Sequence, residues 1–292
     1  MSAQLLKGAP VAAALGEKTS AKCAALREMG VVPTLAIVRA GERADDLAYE
    51  RGAKKRCEAC GIEVKTLAFP ENVSQERLCR ALTALNADIA IHGVLLMRPL
   101  PRGLDEQALI GCIAPEKDVD CATQLALGSV CTGSGGPGFA PCTAQAVIEM
   151  LHFYLGENGI SGKRAAVIGR SRVVGLPAAM LLQQRDATVT LCHSKTQDLA
   201  AVCRGCSIVV AACGRTESLG PELFAPGQTV IDVGIGWSEE KQKLCGDVKT
   251  DEVSDIVSAI TPVPGGVGAV TTAGLALHIA EAAERLLEAA ER

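Results

Sequence analysis

A chain of 292 residues is long enough for two domains of common size, each with its own core. Its formal net charge of −4, with one Trp and four Phe, offers neither the basic field nor the stacking platforms that nucleic acid requires, and no apolar run approaches the ~20 residues of a membrane span. Hydrophobic residues make up 48% of the chain but aromatics only 2%, so the cores must be built from small and β-branched aliphatics, which suit helices packed on parallel strands.

The opening MSAQLLKGAP has no charged segment followed by an apolar core, and the expectation is a soluble cytoplasmic protein. Residues 5–29 carry Leu5, Leu6, Val11, Ala14, Leu15 and Leu26 at helical spacing, with Gly30 as the stop. A strand over 33–38, a helix over 45–60 closed by Gly61, a strand over 62–69, a helix over 74–86 and a strand over 89–97 follow. This alternation predicts a mainly parallel sheet covered on both faces. Pro99-Leu100-Pro101 ends the third strand, because proline cannot donate to a sheet ladder. A helix over 106–113 leads to Pro115-Glu116-Lys117-Asp118-Val119-Asp120 and then a Gly-, Ser- and Pro-rich loop to Pro141, read as the crossing between domains.

A helix over 143–155 enters the stretch on which the second half is organised, Val167-Ile168-Gly169-Arg170-Ser171-Arg172-Val173-Val174-Gly175-Leu176-Pro177. An apolar strand over 164–168 runs into a turn and a helix over 176–183. Gly169 lets the chain reverse, Ser171 caps exposed amides, and Gly175 allows close helix packing, so the helix N-terminus faces an anion such as a dinucleotide pyrophosphate. Strands over 187–192, 207–212 and 229–233 complete four strands of a Rossmann-like sheet. Ile260 to Gly268 reads as a stiff return linker lining a cleft, and the last helix, 271–292, as one that docks back on the first domain.

Thirteen cysteines are scattered through these elements, and reduced thiols are expected. The Cys57/Cys60 and Cys203/Cys206 pairs stand too far apart in sequence for an ordinary zinc site, and no metal is assigned to them. His92 and His193 read as strand and surface residues, and neither is assigned as a base.

VPTLAIV, the Tyr49 helix ending KRCEACGI, HGVLLMRPLP, EKDVD, PCT, GRSRVVGLP, ATVTLCHSKT, VIDVGI, GDV and ITPVPGGVG occur in one order across most of the chain. Together they resemble the methylenetetrahydrofolate dehydrogenase/cyclohydrolase family. The resemblance implies a two-domain α/β fold: a folate domain over 1–142 plus 271–292, and a Rossmann-like NADP domain over 143–270. It also implies oxidation of the one-carbon bridge of methylenetetrahydrofolate with a nicotinamide cofactor, followed in many members by hydrolysis of the methenyl product, and a homodimer. It places Tyr49 on the pterin and gives Asp120, which can accept two parallel hydrogen bonds from an aminopyrimidine edge, to pterin binding; these two are the catalytic candidates. Gly265 and Gly266 join them as substrate contacts, and Gly169, Arg170, Ser171, Ser194 and Ile235 are the cofactor contacts.

Departures from the family pattern bear on the second activity. The family helix carries Tyr-x-x-x-Lys, whose lysine serves hydrolysis, and here that spacing gives Tyr49 and Ala53. Residues four apart share a helix face while the fifth is turned by about 140°, so Lys54 does not inherit the lysine's place. Met97 stands where the family has a supporting glutamine, and PCTAQA and GGVGAV replace the usual PCTPxG and GGVGPM. The expectation is therefore an NADP-dependent methylenetetrahydrofolate dehydrogenase with cyclohydrolase absent or severely weakened. A bifunctional enzyme using Lys54 and a catalytically silent folate- or nucleotide-binding subunit are the alternatives. NADP is preferred over NAD because no acidic residue follows Thr188-Val189-Thr190-Leu191-Cys192, where His193-Ser194-Lys195 stands instead.

Overall fold

The computed structural model describes residues 2–290. In chain order the first elements are β1 (Gln4–Leu5), α1 (Gly8–Glu28), β2 (Thr34–Ala40), α2 (Ala44–Ala59), β3 (Glu63–Phe69), α3 (Gln75–Ala87), β4 (Gly93–Leu96) and α4 (Glu106–Ile110). A 3₁₀ turn (Pro115–Lys117) precedes α5 (Gln124–Thr132), α6 (Cys142–Leu155), β5 (Arg164–Ile168), α7 (Gly175–Gln183), β6 (Thr188–Cys192), α8 (Leu199–Arg204) and β7 (Ile208–Ala211). A second 3₁₀ turn (Pro221–Leu223), β8 (Thr229–Asp232), β9 (Gly236–Ser238), β10 (Lys243–Cys245), α9 (Thr250–Val253), β11 (Ala259–Ile260) and α10 (Val267–Ala290) complete the chain. Glu291 and Arg292, expected to end the last helix, lie outside the described residues. The residues form two compact units, 13–142 with 272–290 and 2–12 with 143–271.

The unit of residues 13–142 and 272–290 is built on a parallel sheet of order β3-β2-β4, with Ala36 opposite both Lys65 and Val94. Central β2 is buried almost throughout, as a strand covered on both faces must be, whereas edge strand β3 has no buried residue except in part. Ser74 starts α3 by accepting from the Arg77 amide, and Leu78, Leu82 and Leu85 form its buried stripe. From α10, Leu275, Ala276, Ile279 and Ala280 enter the same core as Leu35, Ile37, Ala53 and Met97.

The other unit carries a six-stranded, wholly parallel sheet of order β1-β11-β8-β7-β5-β6. Four of its strands were expected; β1 and β11 are two residues each, too short to show a period. Because Gln4 and Leu5 pair with Ala259 and Ile260, residues 2–12 belong to this unit and not to the folate domain expected over 1–142, and Leu5 lies in a strand before α1. The antiparallel β9–β10 pair was also unforeseen, and the expected loop after Asp120 contains α5, which Thr123 caps through the Ala126 amide. The return linker is shorter than expected, since α10 begins at Val267.

One expectation about the cysteines is corrected. Cys79 on α3 and Cys112 just past α4 form a disulfide, their Cα atoms 5.9 Å apart, because the two short helices pack side by side. Cys57, Cys60, Cys203 and Cys206 are buried free thiols, and burial pushes Cys57 and Cys203 up to about 12. Among the described residues no group of three or more His, Cys, Asp or Glu is placed to hold a metal ion.

Glu50 on α2 is 6% exposed and ties its helix to the sheet. Its Oε2 accepts from Arg39 Nε on β2 at 3.0 Å and its Oε1 from Lys54 Nζ at 2.5 Å and Thr66 Oγ1 on β3 at 3.2 Å. Burial pushes the carboxyl up, but these donors prevail and hold it below its usual range. A depressed carboxylate gives stability that is present above the unfolded pKa and lost as pH falls through the folded one. Glu50→Ala should cost about 2–3 kcal/mol at neutral pH, with Arg39 left half-buried without its partner, and the deficit should shrink in acid. Urea unfolding of both proteins at pH 7 and pH 4 checks this; an equal deficit at both pH values would disprove it.

Candidate functional site

At two positions of the β5–α7 turn, Gly169 and Gly175, the backbone leaves no space for a side chain. Gly169 has φ +119°, and a Cβ on it would stand 2.0 Å from the Ala212 carbonyl oxygen; one on Gly175 would stand 2.0 Å from the Gly169 oxygen. These two glycines bring the start of α7 down onto the end of β5. Ser171 Oγ accepts from the amides of Val174 at 3.1 Å and Gly175 at 3.4 Å, satisfying the first free donors of the helix.

Beside this turn lies a cavity of about 360 Å³ lined by Gly169, Arg170, Ser171, His193, Ser194 and Arg215, among others, with no acidic side chain. Its walls are the turns after β5, β6 and β7, side by side because those strands are neighbours in the order β7-β5-β6. The structure thus brings together Gly169, Arg170, Ser171 and Ser194 of the expected cofactor residues. Ile235 is 68% exposed beyond β8 and does not line the cavity. Arg215 was missed, since a lone arginine after an apolar strand carries no sequence signal.

In the unit of residues 13–142 and 272–290, Tyr49, Ala53 and Cys57 form one face of α2, four residues apart. Ala53 (1% exposed), Cys57, Met97 (7%) and Cys142 belong to one apolar cluster, with Tyr49 half-buried against it. Burial holds the Tyr49 hydroxyl protonated well above its usual range, and the nearby charge of Asp120 adds to this, which puts the two candidates within electrostatic reach of each other. Lys54 leaves this face, its ammonium bound to Glu50, and Lys55 is exposed.

Asp118 and Asp120 divide their labour. Asp118, 1% exposed, caps the following turn, accepting from the amides of Ala122 at 2.8 Å and Thr123 at 2.7 Å. Lys117, also buried, donates to the carbonyls of Leu85 at 2.9 Å and Asp88 at 2.7 Å and so clamps the segment to the end of α3. Asp120 instead accepts from Cys142, the first residue of α6, through both its thiol and its backbone amide. Burial raises its carboxyl, while hydrogen bonds from Cys142 and the Arg98 charge pull it down. Cys142 is held in turn: its thiol donates to the Val119 carbonyl at 3.5 Å and lies 3.6 Å from His278 Nδ1, which donates to the same carbonyl at 2.9 Å. Cys142 and His278, 136 residues apart, are support for Asp120 that the sequence did not disclose.

Gly265 and Gly266 fall in the other unit. Gly265 has φ +100°, its carbonyl accepts from the Gly8 amide at 2.8 Å, and a Cβ on Gly8 would meet the Gly266 oxygen at 2.0 Å.

A parallel sheet with a glycine turn, a capped helix start and cationic and hydroxyl side chains around a cavity defines a nucleotide-binding α/β unit. The comparisons agree. Residues 141–287 match the tetrahydrofolate dehydrogenase/cyclohydrolase NAD(P)-binding domain, and residues 6–120 match the catalytic domain of the same family. The chain is 47% identical over 285 residues to the bifunctional protein FolD of Carboxydothermus hydrogenoformans, covering 97% of this chain and 98% of that protein. The crystal structure of the bifunctional enzyme FolD from Campylobacter jejuni is similar at a TM-score of 0.92 and 34% identity, covering 97% of this chain and 99% of that one. The Trypanosoma brucei methylenetetrahydrofolate dehydrogenase-cyclohydrolase, complexed with NADP cofactor and inhibitor, is similar at 0.89 and 36%, covering 98% and 99%. The chain belongs to the tetrahydrofolate dehydrogenase/cyclohydrolase family and carries its NAD(P)-binding domain.

The two aspartates should respond differently to substitution. Asp118→Ala strands two amides and should lower stability by about 1–2 kcal/mol, whereas Asp120→Asn, which keeps an acceptor for the Cys142 amide and removes a buried charge, should leave it unchanged or raise it. Thermal melts of the two variants test this, and an Asp120→Asn loss equal to that of Asp118→Ala would refute it.

Proposed function

We propose that the chain is an NADP-dependent methylenetetrahydrofolate dehydrogenase in which hydrolysis of the methenyl product is absent or severely weakened. Folate is assigned to the unit of residues 13–142 and 272–290 and NADP to the other. Tyr49 stacks on the pterin, and Asp120, oriented by Cys142, accepts from its aminopyrimidine edge. Arg170 and Ser194 meet the 2′-phosphate, while Gly169 and Ser171 shape the pyrophosphate turn. Gly265, Gly266 and Ile235 are proposed contacts on the strength of the shared segments alone. NADP, when bound, supplies the hydride acceptor. The chain's part in that step is alignment, because no proton moves in it.

The observation that carries the finer reading is the Tyr49–Ala53–Cys57 face. Hydrolysis needs a group to take a proton from water and return one to the departing ring nitrogen, and such groups contribute roughly 10²–10⁴-fold. Where the family has a lysine and a glutamine, this face presents buried Ala53, packed in one cluster with Met97 beyond β4, and Lys54 is engaged by Glu50 on the side of β2 and β3. The second reading, a bifunctional enzyme, is favoured by the names of its relatives, which call those proteins bifunctional.

Methenyltetrahydrofolate absorbance followed with and without enzyme separates the two. Decay at the buffer rate beside active hydride transfer is expected, and Ala53→Lys with Met97→Gln should raise hydrolysis. Enzyme-dependent decay that Lys54→Ala abolishes would establish the bifunctional reading instead. For the cofactor, Arg170→Ala should raise KM for NADP by about tenfold and leave that for NAD little changed. An unaltered NADP/NAD preference in steady-state kinetics would remove Arg170 from the 2′-phosphate site.

A further inference from the structure

Two buried aspartates in the nucleotide unit collect six backbone amides between them. Asp247, 1% exposed, accepts from three consecutive residues: Cys213 at 2.7 Å and Gly214 at 2.9 Å on Oδ2, and Arg215 at 2.8 Å on Oδ1. Asp232, equally buried, accepts from Gly234 at 2.9 Å and Asp247 at 3.0 Å on Oδ1 and from Val248 at 2.8 Å on Oδ2. The packing leaves no slack: a Cβ on Gly234 would stand 2.3 Å from Asp247 Oδ1, and one on Gly246 2.0 Å from Asp232 Oδ2.

Three successive amides converging on one point form an anion-binding concavity, and here the anion is the protein's own. Burying a carboxylate is costly unless its hydrogen bonds are complete, and the return on this one is a fixed backbone over 213–215, including Gly214 at φ +67°. That turn presents Arg215 to the cavity that also contains Gly169, Arg170 and Ser194. Arg215 is exposed, and among the described residues no carboxylate lies within ion-pair distance of its guanidinium. In the order β7-β5-β6 its turn and that of Ser194 flank the Gly169 turn from opposite sides.

We propose that Arg215 is a phosphate-binding residue of the cofactor site and that Asp247 is its positioning residue, acting through the three amides of the 213–215 turn. This rests on the NADP reading above and adds to it a second cation, on the side of the cavity opposite Ser194. The fork of donors on a guanidinium suits a phosphate, and a pre-set backbone reduces the conformational freedom that binding must take away.

The test titrates NADPH and NADH by fluorescence against wild type, Arg215→Ala, Arg215→Lys, Asp247→Asn and the Arg215→Ala/Asp247→Asn double variant. Arg215 is exposed, so its variants should melt like wild type. Arg215→Ala should weaken NADPH binding by about tenfold and Arg215→Lys should recover part of it. A loss confined to NADPH assigns the contact to the 2′-phosphate, and one shared with NADH assigns it to the pyrophosphate; both support the proposal. Asp247→Asn should speed amide hydrogen exchange at 213–215 and weaken binding, and Arg215→Ala should add nothing further to it. Arg215→Ala binding both nucleotides as wild type does would overturn the phosphate contact. Losses that multiply in the double variant, or an Asp247→Asn protein that melts lower yet binds normally, would overturn the positioning role. Wild type that binds neither nucleotide would instead defeat the cofactor reading itself.

Discussion

Where the end of β5 meets the start of α7, at Gly169 and Gly175, there is room for backbone and nothing else. Gly175 lies against the Gly169 carbonyl, and Gly169 against that of Ala212 at the end of β7, so a methyl group at either glycine would collide with main chain that has nowhere to retreat. That contact sets the helix start on the strand end, lets Ser171 cap it, and makes the turn after β7 a wall of the same cavity. The cationic residues at 170 and 215 owe their shared cavity to it.

The folate-side candidates depend on a different rule, the 3.6-residue period of α2. Adjacent residues of this helix lead separate lives: Tyr49 faces an apolar cluster with Ala53 and Cys57, while Glu50 faces Arg39, Thr66 and Lys54. A lysine moved by one position along the chain has therefore moved to another chemical environment. The ammonium of Lys54 completes a charge cluster between helix and sheet, through Glu50, Arg39 and Thr66.

Much of this was readable beforehand because strand and helix punctuation is local. Gly30 and Gly61 adopt the positive φ that a helix stop needs, and Ser74 caps α3 through the Arg77 amide. What stayed hidden was decided by partners far away in sequence. β1 and β11 are two residues long and exist only because Gln4–Leu5 and Ala259–Ile260 meet in the sheet. α5, with Gly128, Ser129 and Thr132 in nine residues, has weak intrinsic propensity and is held by its Thr123 cap and by burial of Ala126 and Val130. Within the site, Tyr49 and Asp120 could be named because the motifs around them resemble the family's. Their support could not: Cys142 meets His278 across 136 residues and Asp247 meets Arg215 across 32.

The shared burial of Ala53 and Met97 also constrains which substitutions this core can accept. Both side chains are sealed in one cluster with Leu35, Ile37 and Cys57. A lysine arising at 53 alone would bring an ammonium against a thioether and aliphatic carbon, with no amide to receive it, and a glutamine arising at 97 alone would bury an amide without its cation. Either first step costs stability before the second can return any benefit. The two positions are thus coupled: in this cluster a lysine at 53 and a glutamine at 97 are tolerable together and costly one at a time.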